Sequence, residues 1–202
     1  MKKIIGVLFI IVWLAGCQSK DEEQLRLAAK TGDLDTIKRL VSEGIDVNAK
    51  DNVGESAMLW AALDNRKAIM EFLIKNGGQI NIQDINGMTP LMWAANSGHP
   101  DMIELLISKG AVVNFKDSKQ WTALMWASYN GNIPAMQVLL KHGAKVIDSS
   151  AEGWSPLTLA ARKNRINPMR LLVAHGADIN TAMMWANQRK HGSIVQALKL
   201  LR

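Results

Sequence analysis

Few side chains in this 202-residue chain are of types that do chemistry. The one cysteine is Cys17, and the four histidines are His99, His142, His175 and His191. An ionised thiol is a nucleophile and a soft metal ligand, but a single cysteine can form neither an internal disulfide nor a thiolate cluster. His142 and His175 lie 33 residues apart in two similar segments, "LLKHGA" and "LLVAHGA". Their spacing is that of a repeat and not of a metal site. No G-x-S-x-G, S-x-x-K, H-E-x-x-H or phosphate-cradling loop is present. Catalysis, a bound metal and a resident cofactor are therefore not expected.

Cys17 has a more specific context. Met1-Lys2-Lys3 is a basic start, and the apolar run "IIGVLFIIVWLA" follows from Ile4 to Ala15. Twelve residues are too few to span a bilayer as a helix and match the core of a secretory signal. The run ends in Leu14-Ala15-Gly16-Cys17, which resembles the lipobox of bacterial lipoproteins. The resemblance implies that residues 1–16 are a cleaved signal peptide and that the Cys17 thiol carries a diacylglyceryl group. Small Ala15 and Gly16 would give the peptidase access to the backbone. Residues 17–23 would then be the lipidated cysteine and a tether, and Gln18 after the cysteine implies the outer membrane, facing the periplasm. The protein is expected to be anchored to the cell envelope, not to cross it.

Charge is unevenly placed. From Cys17 to Ser150 there are 14 bases and 16 acids, whereas from Ala151 to Arg202 there are eight bases and two acids. A basic end is the footprint of an acidic partner or of a solvated surface. A nucleic-acid partner is not expected, because the export signal argues against it. With 48% hydrophobic and 21% charged residues the chain is not of disordered composition.

What must position these side chains is a repeat. "TPLMWAANSG" from Thr89 returns 33 residues on as "TALMWASYNG" from Thr122. Asp51, Asp84, Asp117 and Ser150 share that interval, as do the pairs Ala61-Ala62, Ala94-Ala95, Ala127-Ser128 and Ala160-Ala161. Thr89 or Ser155 ahead of proline reads as a helix cap with Pro at the first helical position. Leu91, Ala94 and Ala95 then share one face of a short helix, which Gly98 ends. A second helix follows from Pro100 to Lys109, with Ile103, Leu106 and Ile107 facing inward. Asn86-Gly87 and Asp51 fall where a tight turn must form. One such unit cannot bury its apolar side, but a stack of them can.

The pattern resembles the ankyrin repeat, which opens D-x-x-G-x-T-P-L-H-x-A-A and closes L-L-x-x-G-A-x-x-N. The resemblance covers nearly everything from Leu25 onward. It implies an all-α ankyrin-repeat solenoid: four full helix-turn-helix repeats with hairpin fingers, between capping helix pairs. The boundaries within residues 24–202 are 24–50 (N-terminal cap), 51–83, 84–116, 117–149, 150–180 and 181–202 (C-terminal cap, without a hairpin). Gln120 breaks a column of turn glycines (Gly54, Gly87, Gly153), which strains the turn if its φ is positive.

Trp60, Trp93, Trp126 and Trp185 share one column, with Leu159 among them. They are expected to pack between layers. The family's histidine in T-P-L-H is replaced by Leu59, Met92, Met125, Thr158 and Met184, which would make the groove side soft and apolar. Trp121 and Trp154 each precede the capping residue, on a hairpin tip, in the column of Glu55 and Met88. Family members bind through those tips and the concave face of the first helices. Met88, Trp121, Trp154, Tyr129, Asn130, Arg162 and Lys163 are therefore the expected partner-binding residues. The expected function is a non-enzymatic protein-binding module. Two partners are open: a secreted antibacterial toxin to be neutralised, as envelope-anchored ankyrin immunity proteins resembling this chain do against phospholipase effectors, or a resident envelope protein held by a scaffold. Contact of the basic end with lipid or cell-wall polymer is a third reading.

Overall fold

The computed structural model describes residues 20–201, so Cys17 and the apolar run before it lie outside the described residues. Among the described residues there are six helix-turn-helix pairs. They are α1 (20–31) with α2 (Leu34–Ser42), α3 (Ala57–Leu63) with α4 (Lys67–Lys75), and α5 (Pro90–Ser97) with α6 (Pro100–Ser108). α7 (Ala123–Asn130) with α8 (Ile133–Lys141), α9 (Pro156–Arg162) with α10 (Ile166–Ala174), and α11 (Ile179–Gln188) with α12 (Gly192–Lys199) complete the stack. First helices contact first helices in series from α3 to α11, and among second helices α2 packs on α4, α6 on α8 and α8 on α10. The result is an all-α ankyrin solenoid.

Local chemistry accounts for the helix starts. Ser56, Thr89, Thr122 and Ser155 sit in extended backbone and accept a hydrogen bond from the N–H three residues on. This satisfies one of the four donors a helix start leaves unpaired. Gly98 and Gly131 close α5 and α7 in the left-handed region. Asn65 and Asn164 do the same after α3 and α9 with φ of 54° each, a conformation asparagine tolerates better than most residues. α1 contains residues 20–23, which were expected in a tether and are helical instead.

The fingers are turns, not strands; a single antiparallel bridge, Lys50 with Ser56, is formed among the described residues. Each finger is pinned by its own first residue. Asp84 Oδ1 accepts from the N–H groups of Asn86 (2.8 Å) and Met88 (2.9 Å). Asp51 and Asp117 repeat this geometry, and Ser150 Oγ substitutes for them. Backbone bonds run from finger to finger: Ile85 N–H to Val53 O, Ser118 N–H to Asn86 O, Ala151 N–H to Lys119 O. Gln120 adopts φ of 61°, yet its N–H still reaches Asp117 O at 2.8 Å. The finger is strained there but intact.

The core lies between the layers. Ala61, Ala62, Ala94, Ala95, Ala127, Ser128, Ala160 and Ala161 are buried, and their small size lets helices approach closely. One expectation fails here. Leu59, Met92, Met125 and Thr158 are buried at 1% exposure or less, so they do not form a soft groove surface. That column faces the following layer, which covers it. Only Met184, in the last pair, stands 63% exposed, because no further layer of the described residues packs on it.

A second set of ties joins layers at the turns after the second helices. Asn48 accepts from Gln79 N–H (2.8 Å) and donates to Gly77 O (3.1 Å). Asn114 accepts from Lys145 N–H (3.0 Å) and donates to Gly143 O (3.0 Å). Asn81 accepts from Val112 N–H at 3.0 Å. Ile147 occupies the next position in this column and is 75% exposed.

Candidate protein-binding surface

The finger pins do more than shape turns. Asp84 Oδ2 accepts from the Trp93 indole N–H at 3.2 Å, and Asp117 Oδ2 accepts from that of Trp126 at 3.0 Å. Each carboxylate thus holds its finger with one oxygen and the first helix of its repeat with the other. The expected tryptophan column is present, half-buried and packed on the core, but its polar anchor was not foreseen. Asp and Trp stand nine residues apart in both repeats, and where Ser150 replaces Asp, Leu159 replaces Trp, but the spacing alone does not specify the bond: Asp51 and Trp60 share it without one. In the 51–83 repeat Asp51 instead lies 3.9 Å from Arg26 Nε, and Lys30 Nζ sits 4.0 Å above the Trp60 ring.

The finger tryptophans do not project from the tips. Trp121 is half-buried, its ring 4.7 Å from Trp126 and 5.5 Å edge-on from Tyr129. The two N–H bonds that Asp117 accepts turn the finger so that the Trp121 side chain lies over α7. Trp154 is also half-buried; its Nε1–H donates to Glu152 at 2.6 Å and its ring meets Trp185 edge-on at 6.2 Å. The Arg162 guanidinium is 5.3 Å from the Trp154 ring, and Lys163 Nζ is 4.4 Å from that of Tyr129. Trp185 stacks on His191 at 5.1 Å. These contacts form two groups, Trp126–Trp121–Tyr129–Lys163 and Arg162–Trp154–Trp185–His191, which adjoin where exposed Arg162 and Lys163 are neighbours in the chain. Together they make a strip from Trp126 in α7 to His191 ahead of α12.

Two expected surface residues are placed otherwise. Met88 is 8% exposed and belongs to the core. Its backbone is clamped to Asp84 on both sides, which turns the side chain inward to line a cavity of about 130 Å³ shared with Ser118, Lys119 and Trp126. Asn130 is half-buried and donates its amide to Asn96 O (3.1 Å) and Oδ1 (2.8 Å), tying α7 to α5. Trp121, Tyr129, Trp154, Arg162 and Lys163 are brought together; Trp126, Trp185 and His191 join them.

Charge follows the same axis. The ion pairs of the described residues use Arg26, Lys38, Arg39, Lys116 and Lys141 as cations, and the His142 ring also lies 3.0 Å from Glu104, all before residue 143. On the outer helices, the hydrogen bond from His142 and then that from Lys141 hold the Glu104 carboxyl below its ordinary value. No helix of the described residues is long and apolar enough to cross a membrane. Nor do they contain a group of three or more His, Cys, Asp or Glu placed to hold a metal ion.

Comparison with known proteins agrees with this geometry. The chain is 54% identical over 50 residues to the palmitoyltransferase akr1 of Schizosaccharomyces pombe, a match covering 24% of this chain and 8% of that protein. It is 35% identical over 54 residues to the ankyrin repeat-containing protein YIL001W of Saccharomyces cerevisiae, covering 27% of this chain and 10% of that one. The chain thus spans about a tenth or less of the curated relatives it matches, a length of under two repeats. The family profile for ankyrin repeats (three copies) matches residues 25–117, 77–150 and 110–183, together most of the chain. With its layered helix pairs, Asp-pinned fingers and buried alanine columns, the chain belongs to the ankyrin-repeat family.

Proposed function

We propose that this protein is a lipid-anchored, non-enzymatic binding module of a bacterial envelope that captures one protein partner on the strip between Trp126 and His191. The observation that carries the reading is the strip itself: six aromatic rings and two cations across three layers, in two contact groups that adjoin at Arg162 and Lys163. Tryptophan, tyrosine and arginine are the residues on which interfaces concentrate their binding energy. Rings already packed against one another lose little entropy on docking.

Anchoring rests on the Lys2-Lys3 start, the apolar run and Leu14-Ala15-Gly16-Cys17. Between Cys17 and the helix that contains residue 20 lie only Gln18 and Ser19. At ~3.3–3.6 Å per residue that spacing reaches roughly 11 Å, so the solenoid stays beside its membrane. A rigid stack on a short tether suits blocking an incoming secreted effector, such as a phospholipase. A scaffold for a resident envelope protein would use the same surface, and the catch distinguishes them.

In the test, the full chain held in neutral detergent is immobilised and exposed to envelope extract and to secreted proteins of the same strain. One protein retained by the wild type and lost from Trp121→Ala with Trp154→Ala, both folded by circular dichroism, is the expected result. A secreted lytic enzyme on the column favours the neutralising role; a resident protein favours the scaffold. Retention unchanged in the double variant overturns the assignment of the strip. In cell fractions, the wild type is expected in the membrane pellet and Cys17→Ser in the soluble fraction; equal partitioning overturns the anchor.

A further inference from the structure

Charge is unevenly distributed along the stack. From Cys17 to Ser150 acids outnumber bases, and some of the cations are in ion pairs, as in Arg39 with Glu43 at 2.8 Å and Lys38 with Asp35 at 3.3 Å. From residue 151 onward no cation of the described residues is in an ion pair. The two acids of that stretch are already occupied. Glu152 accepts the Trp154 indole N–H, and Asp178 caps α11 through Asn180 N–H. Arg162 and Lys163 are nonetheless held in place, by aromatic rings in place of carboxylates.

From this arrangement we infer that the strip takes an acidic, extended segment of a protein partner, whose carboxylates pair with Arg162 and Lys163 while its apolar side chains lie on Trp121, Tyr129 and Trp154. The inference rests on the binding-module reading and supplies the chemistry of its partner. A guanidinium lying on an indole face keeps its rim N–H groups free for a carboxylate, and the ring contact fixes it in advance. The strip crosses three layers, which at helix spacings of 8–10 Å is about 20 Å. An extended chain covers that with about six residues. A lipid headgroup would occupy one cation and leave the aromatic contacts unused, so rings on both sides of the paired charges favour a peptide over a membrane.

The test uses the full chain in neutral detergent micelles and a labelled twelve-residue peptide of alternating Glu and Leu, with binding read by anisotropy. The expected result is saturable binding at 20 mM salt that weakens at least tenfold at 300 mM. The peptide with Lys for Glu is expected not to bind. Arg162→Glu with Lys163→Glu is expected to lose at least tenfold; both side chains are exposed, so folding is not at risk. Lys38→Glu with Arg39→Glu, at the paired end, is expected to stay within twofold. No binding at 1 mM peptide, equal binding of the Lys peptide, or indifference to the Arg162 and Lys163 changes overturns the inference. So does exclusive binding, through these residues, to vesicles with 30% anionic lipid. Capture of a protein that depends on Trp121 and Trp154 but ignores 300 mM salt would overturn the acidic chemistry and leave the module standing.

Discussion

Asp117 is 3% exposed and carries the hydrogen bonds of three partners: Lys119 N–H, Trp121 N–H and the Trp126 indole. A buried carboxylate is tolerated only when its oxygens are so satisfied. Removing one partner leaves a desolvated charge, whereas removing both together costs less, because nothing buried is left unpaired. The chain itself contains the second situation, at Ser150 and Leu159. The expected outcome is that Trp126→Leu alone lowers stability by about 1–3 kcal/mol. Asp117→Ser alone is expected to destabilise as well, and the double variant less than the sum. A coupling of about 0.5–3 kcal/mol between the two positions in denaturant unfolding is the check. Strict additivity would mean that the indole bond contributes nothing. The Asp column was legible in the sequence because turn chemistry is local. The Asp–indole bond was not, because a nine-residue separation says nothing until a finger is folded back on its helix. Met88 and Trp121 were misplaced for the same reason: a column marks the tip but not which way the pinned backbone turns the side chain.

At the scale of elements, the weak joint is between the pair α7/α8 and the pair α9/α10. Three amino-terminal joints carry an asparagine tie, through Asn48, Asn81 and Asn114. Ile147 has no amide to offer, and beside it a cavity of about 220 Å³ opens towards Ser149, Ser155, Asp178 and Thr181. By the spacing of the other ties, an amide at position 147 would face Gly176 O and Asp178 N–H. Ile147→Asn is therefore expected to stabilise the fold by about 1 kcal/mol, the net worth of one or two hydrogen bonds. That corresponds to a rise of about 2–4 °C in melting temperature for a chain of this length. The gain should appear as slower amide exchange in α9 to α12 and not in α3 to α6. Uniform or absent protection would show that the joint is not the weak layer. The helix pairs themselves were legible, since Thr89-Pro90, Ser155-Pro156 and the alanine columns encode them within a few residues. Burial of Leu59 and Met92 was not, because it depends on the layer that follows, not on the repeat that contains them.

At the scale of the whole molecule, three carboxylates spread along the stack set its response to acid. Asp33 is held below its ordinary value first by the Thr36 hydroxyl and then by the Thr36 N–H, at the start of α2. Glu104, on α6, is lowered by His142 and then Lys141, both at the end of α8. Asp178 is lowered first by the Asn180 N–H and then by the Thr181 hydroxyl, at the start of α11. In each case the fold favours the charged form. Their stabilisation is therefore complete above the ordinary carboxylate values near 4 and is lost as pH falls through the lowered native values. Melting temperature is expected to be level from pH 7 to about pH 5 and to decline below about pH 4. Asp33 and Asp178 are exposed and Glu104 is half-exposed, so each contribution is small and screened. Asn can keep the capping bonds of Asp33 and Asp178 without titrating, and Gln can keep part of the Glu104 contact. The variant Asp33→Asn, Glu104→Gln, Asp178→Asn should start less stable at neutral pH and show a shallower decline in acid. Added salt should flatten the wild-type curve chiefly through Glu104, whose partners at α8 include the charge of Lys141, and leave the two caps largely unchanged. An acid slope identical in wild type and triple variant would assign the transition to other carboxylates and remove these three from the account.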